Sequence, residues 1–135
     1  MSGYSGRPLS QKLGIKPGFR MKVLGAPDNY IDLVEPLPEG VDVSDQLKGE
    51  VEMCHLFTAS RAELDHLVRI CMSEIIQDGM IWVSWPKKSS GVPSEVTEDT
   101  VREVALPLGL VDVKVCAVDE TWSGLKLVIR KENRR

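Results

Sequence analysis

No stretch of the chain is apolar for long enough to cross a bilayer. The longest apolar runs are strand-length, far below the ~18 residues a spanning helix needs. Positive charge is not in excess either. Seventeen Lys and Arg stand against 20 Asp and Glu, a formal net charge of −3, and the sequence pI is about 5.4. That balance lacks the basic footprint of a general nucleic-acid binder or of a surface drawn to anionic lipid, so neither is expected as a partner. Cysteine is scarce: Cys54, Cys71 and Cys116, none in a Cys-x-x-Cys pair. An odd count without a framework predicts reduced, buried thiols acting as small hydrophobes in a cytoplasmic protein. The opening "MSGYSGRPLSQKLG" has no cationic head before an apolar run, and Ser2 precedes the glycine that a myristoylation start needs. Neither lipidation there nor a secretory signal is therefore expected. There is no internal repeat, no low-complexity tract, no G-x-x-x-x-G-K-[ST] loop and no G-x-S-x-G elbow. His55 and His66 have no partner at metal-ligand spacing, so neither a metal site nor a catalytic residue is assigned.

What is present suits one domain over residues 1–135, with 42% apolar and 27% charged residues, the balance of ordinary globular material. Residues 1–18 read as an extended arm and a helical turn at Leu9 to Leu13 that Gly14 ends. "MKVLGA" (Met21 to Ala26) is a first strand. A short helix from Asn29 to Glu35 follows, with Asp28 as its cap and Pro36 as its stop. "EGVDVSD" is a brief strand or a loop, and Val51 to Thr58 is a second clear strand. The helix after it opens with Ser60 and Glu63 at capping-box spacing. Its apolar face is Leu64, Leu67, Val68, Cys71 and Ile75, and Gly79 stands at its C-terminal cap. Met80 to Trp85 is a strand apolar enough to be covered on both faces. A helix capped by Thr97 turns Val101, Val104, Ala105 and Leu108 inward, and Pro107 ends or kinks it. "LVDVKVCAVD" and "GLKLVIRK", joined by "ETWS", form an antiparallel hairpin, and residues 130–135 are a frayed tail. Strands alternating with helices predict an α/β fold of three layers, a Rossmann-like, mainly parallel sheet ending in an antiparallel hairpin and reduced in size.

Three segments carry a resemblance. "LGIKPGFRMKVLG", "IIQDGMIWVSW" and "GLVDVKVCAVDETWSGLKLVIRK" resemble the first strand, a helix-to-strand passage and the closing hairpin of class I methyltransferases that use S-adenosylmethionine. More specific are "GYSGRPLSQKLGIKPG", "WPKKSSGV" and "LVDVKVCAVDETWSGLK", which resemble the hallmarks of a bacterial family of small proteins of unknown function. The resemblance implies a methyltransferase-like fold and names no activity. It also exposes a departure. A cofactor loop of that type needs an acid late in the first strand and a run of glycines after it. Val23 stands where the acid would be, Gly25 survives, and Pro27 and Asn29 take the next two glycine positions. Proline removes an N–H and fixes φ. The acid expected ~20 residues on, to hold ribose hydroxyls, has only Glu35, Asp42 and Asp45 as candidates by proximity. S-adenosylmethionine is therefore an unlikely ligand and no cofactor is expected.

In an open parallel sheet, ligands bind at the carboxyl ends of the strands. The loops expected there supply Asp28, Asn29, Ser60, Arg61, Lys87, Lys88, Ser89, Ser90, Asp119 and Glu120, with Trp85 and Trp122 as flat apolar surfaces. "WPKKSSG" offers two lysines, two hydroxyls and a glycine to an anion, against the plain alternative of a solvated loop. Asp119 and Glu120 are adjacent and point apart, so they are read as turn residues rather than an acid–base pair. Three functional readings follow: a non-catalytic binding or interaction domain for a protein partner or small anionic ligand; a small transferase-type enzyme holding an anionic ligand at the strand ends; and a structural homo-oligomer, such as a homodimer, that covers the edge left by a shortened sheet.

Overall fold

The computed structural model describes residues 7–135; the six residues before Arg7 lie outside them, and with them most of the expected N-terminal arm. The chain builds α1 (Leu9–Leu13), β1 (Arg20–Leu24), α2 (Tyr30–Val34), β2 (Asp42–Ser44), β3 (Val51–Phe57), α3 (Arg61–Glu74), β4 (Ile75–Pro86), α4 (Glu98–Ala105), β5 (Leu110–Ala117) and β6 (Trp122–Ile129). The six strands form one sheet in the order β2-β1-β3-β4-β6-β5. The first four are parallel, and β6 is inserted between β4 and β5, antiparallel to both. This is the mixed, mainly parallel α/β sheet that the alternation of elements predicts.

Two cores lie on the two faces of the sheet. One joins α3 and α4 to the sheet through Leu64, Val68, Val101, Ile81, Val83 and Leu125. The other joins α1 and α2 to it through Leu13, Tyr30, Val34, Met53, Phe57 and Trp82. Trp82 has no exposed surface, and its indole N–H donates to the Leu13 carbonyl at 2.9 Å, which pins the end of α1 to β4. Burying a side chain of that kind contributes about 1.5–3 kcal/mol. Gly14 ends α1 in the left-handed region at φ 83°, as its position predicts.

The structure corrects several boundaries. The α3 helix stops at Glu74, and Ile75 is already extended. β4 therefore runs from Ile75, twelve residues instead of six. The β-branched pair Ile75–Ile76 favours the pleated surface over another helical turn. Gly79 is no helix cap. It lies in the irregular part of β4, where residues 76–79 stand opposite Glu52 of β3 and a Cβ at Gly79 would come 3.0 Å from the Glu52 and Ile76 carbonyls. The Ser60 hydroxyl caps α3 by accepting from Glu63 N–H at 3.2 Å. The reciprocal bond is missing, because the Glu63 carboxylate accepts from Thr58 Oγ1 at 2.6 Å instead. In α4 the capping box is closed by Thr97 and Thr100. Asn29, not Asp28, is the cap position of α2, and no side chain caps it. "EGVDVSD" does contain a strand, β2, which extends the sheet beside β1. The hairpin turn lies earlier than "ETWS", since Trp122 and Ser123 belong to β6. The terminal residues, read above as frayed, close in a 3-10 turn at Lys131–Asn133, with Asn133 Nδ2 donating to the Gly109 carbonyl and Arg135 N–H to Gln77 Oε1.

Two charged contacts tie elements together. Lys22, 7% exposed, reaches the Glu74 carboxylate at 3.1 Å and the Leu47 carbonyl at 2.8 Å. The lysine hydrogen bond holds the Glu74 pKa below the usual carboxylate range. Arg102 on α4 binds Asp112 on β5 at 3.0 Å and lowers the Asp112 pKa in the same way.

Candidate functional site

The ends of β1, β3 and β4 and the tip of the β5–β6 hairpin lie along one edge of the sheet. The loop after β1 turns sharply at Gly25, whose φ is +69°. A Cβ built there would stand 2.6 Å from the Phe57 carbonyl oxygen, so glycine is required by close approach to β3. Val23 is buried in the core at 8% exposure. Pro27 contributes its carbonyl to Tyr30 N–H at 3.0 Å. Asp28 and Asn29 are exposed in the turn that leads into α2. The loop thus leans on the backbone of its own sheet.

Beneath it lies a polar chain that no sequence motif announces. The Tyr30 hydroxyl is 3.0 Å from His55 Nδ1, and His55 Nε2 is 2.8 Å from Ser84 Oγ. A neutral imidazole offers one donor and one acceptor, and each hydroxyl matches either role. Burial lowers the His55 pKa to about 3 and raises that of Tyr30. Phe57 stacks on His55 at 4.4 Å between centroids, and Trp122 meets Phe57 edge-on at 5.1 Å. His55 and Ser84 have no exposed surface and Tyr30 only 4%. This Ser–His pair is enclosed, so its work is to join α2, β3 and β4 through satisfied hydrogen bonds. The only sequence signal for it is a histidine inside a buried strand.

The remaining candidates divide between two places. Ser60 is spent on the α3 cap. Arg61 pairs with Glu103 at 2.8 Å while its N–H donates to Glu95 Oε1, which turns it toward the groove between α3 and α4. The loop after β4 folds into a 3-10 turn, Lys88–Ser90, closed by Gly91 at φ 77°. Within it Ser90 Oγ donates to the Lys87 carbonyl at 2.6 Å and accepts from Val92 N–H at 3.1 Å. Lys87 N–H donates to the Thr121 carbonyl at 2.8 Å, which fastens this loop to the hairpin tip. Lys88 and Ser89 are exposed. At the tip, Asp119 is a turn builder, its Oδ1 accepting from Thr121 and Trp122 N–H at 2.8 and 2.7 Å. Glu120 is exposed beside it.

Trp85 and Trp122 do not face each other. Trp122 is paired with Pro86 and Trp85 with Ser123, so adjacent positions of β4 and β6 send the two indoles to opposite faces. Trp85 packs with the α3–α4 core and Trp122 with the α1–α2 core. Trp85 and Lys88 do meet, in a cleft of about 540 Å³ between the β4 loop and the start of α4. Its apolar wall is Trp85, Pro86, Val92 and Val96, and its polar groups are Lys88, Ser94, Thr97 and Asp99. Ser94 and Asp99 are additions to the sequence-level set; Thr97 had signalled only a helix cap. Among the described residues no cluster of His, Cys, Asp and Glu has the arrangement of a metal centre. No helix among them is long and apolar enough to cross a membrane.

Residues 39–131 match the model of a family described as a protein of unknown function, DUF3052. The chain belongs to this family. No curated protein matches it. Among solved structures it resembles YjhP from E. coli, at TM-score 0.64 and 12% identity over 90% of each chain. It resembles a SAM-dependent methyltransferase from Aquifex aeolicus at TM-score 0.58 and 14% identity, over 88% of this chain and 87% of that one. Aeropyrum pernix fibrillarin, solved with natively bound S-adenosyl-L-methionine, gives TM-score 0.55 and 15% identity, over 94% of this chain and 71% of that one. At these identities the likeness establishes the fold, a methyltransferase-like Rossmann sheet. Of the features that a cofactor loop asks for, this DUF3052 chain keeps Gly25 in a left-handed turn, and Asp45 directly follows β2 with its carboxylate accepting from Gln46 Nε2 at 2.8 Å. Glu35 ends α2 and Asp42 opens β2, both exposed. The strand-end acid and the later glycines are replaced by a buried valine, a proline and an asparagine.

Proposed function

We propose that this DUF3052 protein is a non-catalytic binding domain on a methyltransferase-like sheet, that it does not take S-adenosylmethionine through the loop after β1, and that its ligand or partner docks in the cleft after β4. One observation carries the reading. At Gly25 the Cβ side of the backbone is taken up by the Phe57 carbonyl, 2.6 Å from where a Cβ would stand, so packing on β3 accounts for this glycine, while the cleft beyond Trp85 has open volume, an apolar wall and a cationic end. Ligand sites of this kind pair a mainly apolar lining with a few placed polar groups. The occupant it suits has an apolar body for Trp85, Pro86, Val92 and Val96 and a carboxylate or phosphate for Lys88. Ser94 and Thr97 supply short-range hydrogen bonds, and Asp99 disfavours a second negative charge at the far side.

Amide NMR with phenyl phosphate, an aromatic body carrying one anionic group, tests this. Titration should move resonances between residues 85 and 99, and Lys88→Ala should abolish the shifts while leaving the rest of the spectrum unchanged. Shifts centred on residues 25–30, or none at millimolar probe, would overturn the assignment.

A further inference from the structure

The opposite face of the same sheet holds a second feature that the cleft does not explain. Lys114 on β5 and Lys126 on β6 are directly paired across the strands. Residues so placed are ~5 Å apart at Cβ, and like charges there are destabilising. Lys126 is also paired with Trp82 on β4, and Trp82 holds the end of α1 through the Leu13 carbonyl. Lys12 and Lys16, in and just after α1, are thereby brought over the same strands. Lys16 and Lys114 both bear on Lys126, whose pKa is lowered first by its burial and then by these two cations. Lys12, Lys114 and Arg7 bear on Cys116, the neighbour of Lys114 on this face, against a burial that raises the thiol's pKa. Among the described residues, none of the salt bridges involves Arg7, Lys16, Lys114 or Lys126. Residues 1–6, Met-Ser-Gly-Tyr-Ser-Gly, contain no carboxylate side chain that could answer them.

We infer that this shelf, floored by Lys114 and Lys126 and walled by α1 with Lys12 and Lys16, is a binding site for a small oligophosphate-bearing anion. A chain with net charge −3 has gathered cations in one place, of which Lys16, Lys114 and Lys126 are in no salt bridge with a described residue, and it tolerates a like-charge pair in its sheet. An anion set between the two ammonium groups converts that repulsion into attraction. The size of the occupant follows from the extent of the charge. Two lysines whose Cβ atoms are ~5 Å apart can both reach one compact anion that carries more than one negative charge. A long polyanion or a bilayer would run past the shelf onto a surface whose net charge is acidic, where it would be repelled. The inference is separate from the Lys88 cleft and stands or falls without it.

The test is calorimetric titration of the full chain with sodium tripolyphosphate at constant ionic strength, with NaCl and sodium sulfate as controls. Amide NMR locates the contact. The expected result is saturable binding with shifts at residues 114–116, 124–126 and 12–16. The double variant Lys114→Gln/Lys126→Gln should bind at least tenfold more weakly, and Lys88→Ala should bind as the parent does. Because glutamine removes two opposed charges without adding bulk, the double variant should fold and unfold at or above the parent's temperature. A thermal response that NaCl reproduces, or tripolyphosphate binding unaffected by the double variant, would overturn the proposal. So would tight binding of a 20-mer duplex or of phosphatidylserine vesicles with no binding of tripolyphosphate, since that result assigns the shelf to an extended anionic surface.

Discussion

The loops after β1 and after β4 begin alike and end differently. Each leaves a buried parallel strand, each passes through a proline, and each contains a glycine in the left-handed region, Gly25 at φ 69° and Gly91 at φ 77°. At Gly25 a side chain would strike the Phe57 carbonyl, whereas at Gly91 nothing lies within 4 Å of a built Cβ. One glycine serves close packing of backbone on backbone, the other only lets the chain turn. The first loop presses on β3 at its glycine, and the second, fastened at Lys87 to the Thr121 carbonyl and at Glu95 to the Ala59 carbonyl, borders a cleft. The lesson is that a glycine standing where a fold family holds its cofactor is here accounted for by the backbone it is pressed against.

Substituting the two glycines separates these cases most sharply. Gly25→Ala must strain φ and also displace β3 backbone, so it should lose about 3 kcal/mol or more. Gly91→Ala should lose only the left-handed penalty, about 1 kcal/mol. Urea unfolding of both variants measures the difference directly, and equal losses would mean that the Phe57 contact relaxes freely.

The next effect concerns the polar chain under the first loop. The His55 pKa falls from about 6.5 in the unfolded chain to about 3 in the folded one. Below the unfolded value the unfolded state takes up a proton that the native state refuses, so stability falls as pH drops. The slope approaches about 1.4 kcal/mol per pH unit from this group once the pH is well under 6.5, and it ends near the folded pKa. His55→Gln keeps hydrogen bonding to Tyr30 and Ser84 but cannot titrate. It should therefore lower stability at pH 7 and flatten the dependence between pH 6.5 and 5. A variant with the parent's slope would show that other groups carry the acid sensitivity. Smallest of all should be the effect of Lys88→Ala on unliganded stability, within about 0.5 kcal/mol, as befits an exposed residue. A larger loss would make Lys88 part of the structure rather than of a site.

Much of the architecture is legible in the sequence because it rests on local signals: the apolar run of β4, the Ser60 and Thr97 caps, the Gly14 stop and the alternation of elements. The errors fall where tertiary contact overrides local preference. Gly79 looks like a helix cap, yet β-branched Ile75 and Ile76 start the strand four residues earlier, and the glycine answers to the Glu52 carbonyl across the sheet. The candidate site was legible only as a set of loops. Lys88 and Trp85 are found together in the cleft, but Trp122 lies across the sheet from Trp85, because a strand alternates its faces and the turn was misplaced. Ser60, Ser90 and Asp119 read as ligand groups by type, and the structure spends each on its own backbone. The Tyr30–His55–Ser84 chain joins residues 25 or more positions apart, where a single sequence carries no pairing signal; the Lys114–Lys126 pair lies in the expected hairpin, but its register depends on a turn that falls earlier than "ETWS" and on the irregularity between Asp112 and Lys114.

The central claim is that the β1 loop is closed to the cofactor used by methyltransferases of this fold. Thermal unfolding of the protein with S-adenosylmethionine and S-adenosylhomocysteine at millimolar concentration tests it most directly. A ligand at ~100 times its dissociation constant adds about 2.7 kcal/mol to stability, a shift of several degrees in a domain this size. The account predicts no shift with either compound. A saturable rise with either one, abolished by Asp45→Ala, would contradict it and place the cofactor on the loop that Gly25 presses against β3.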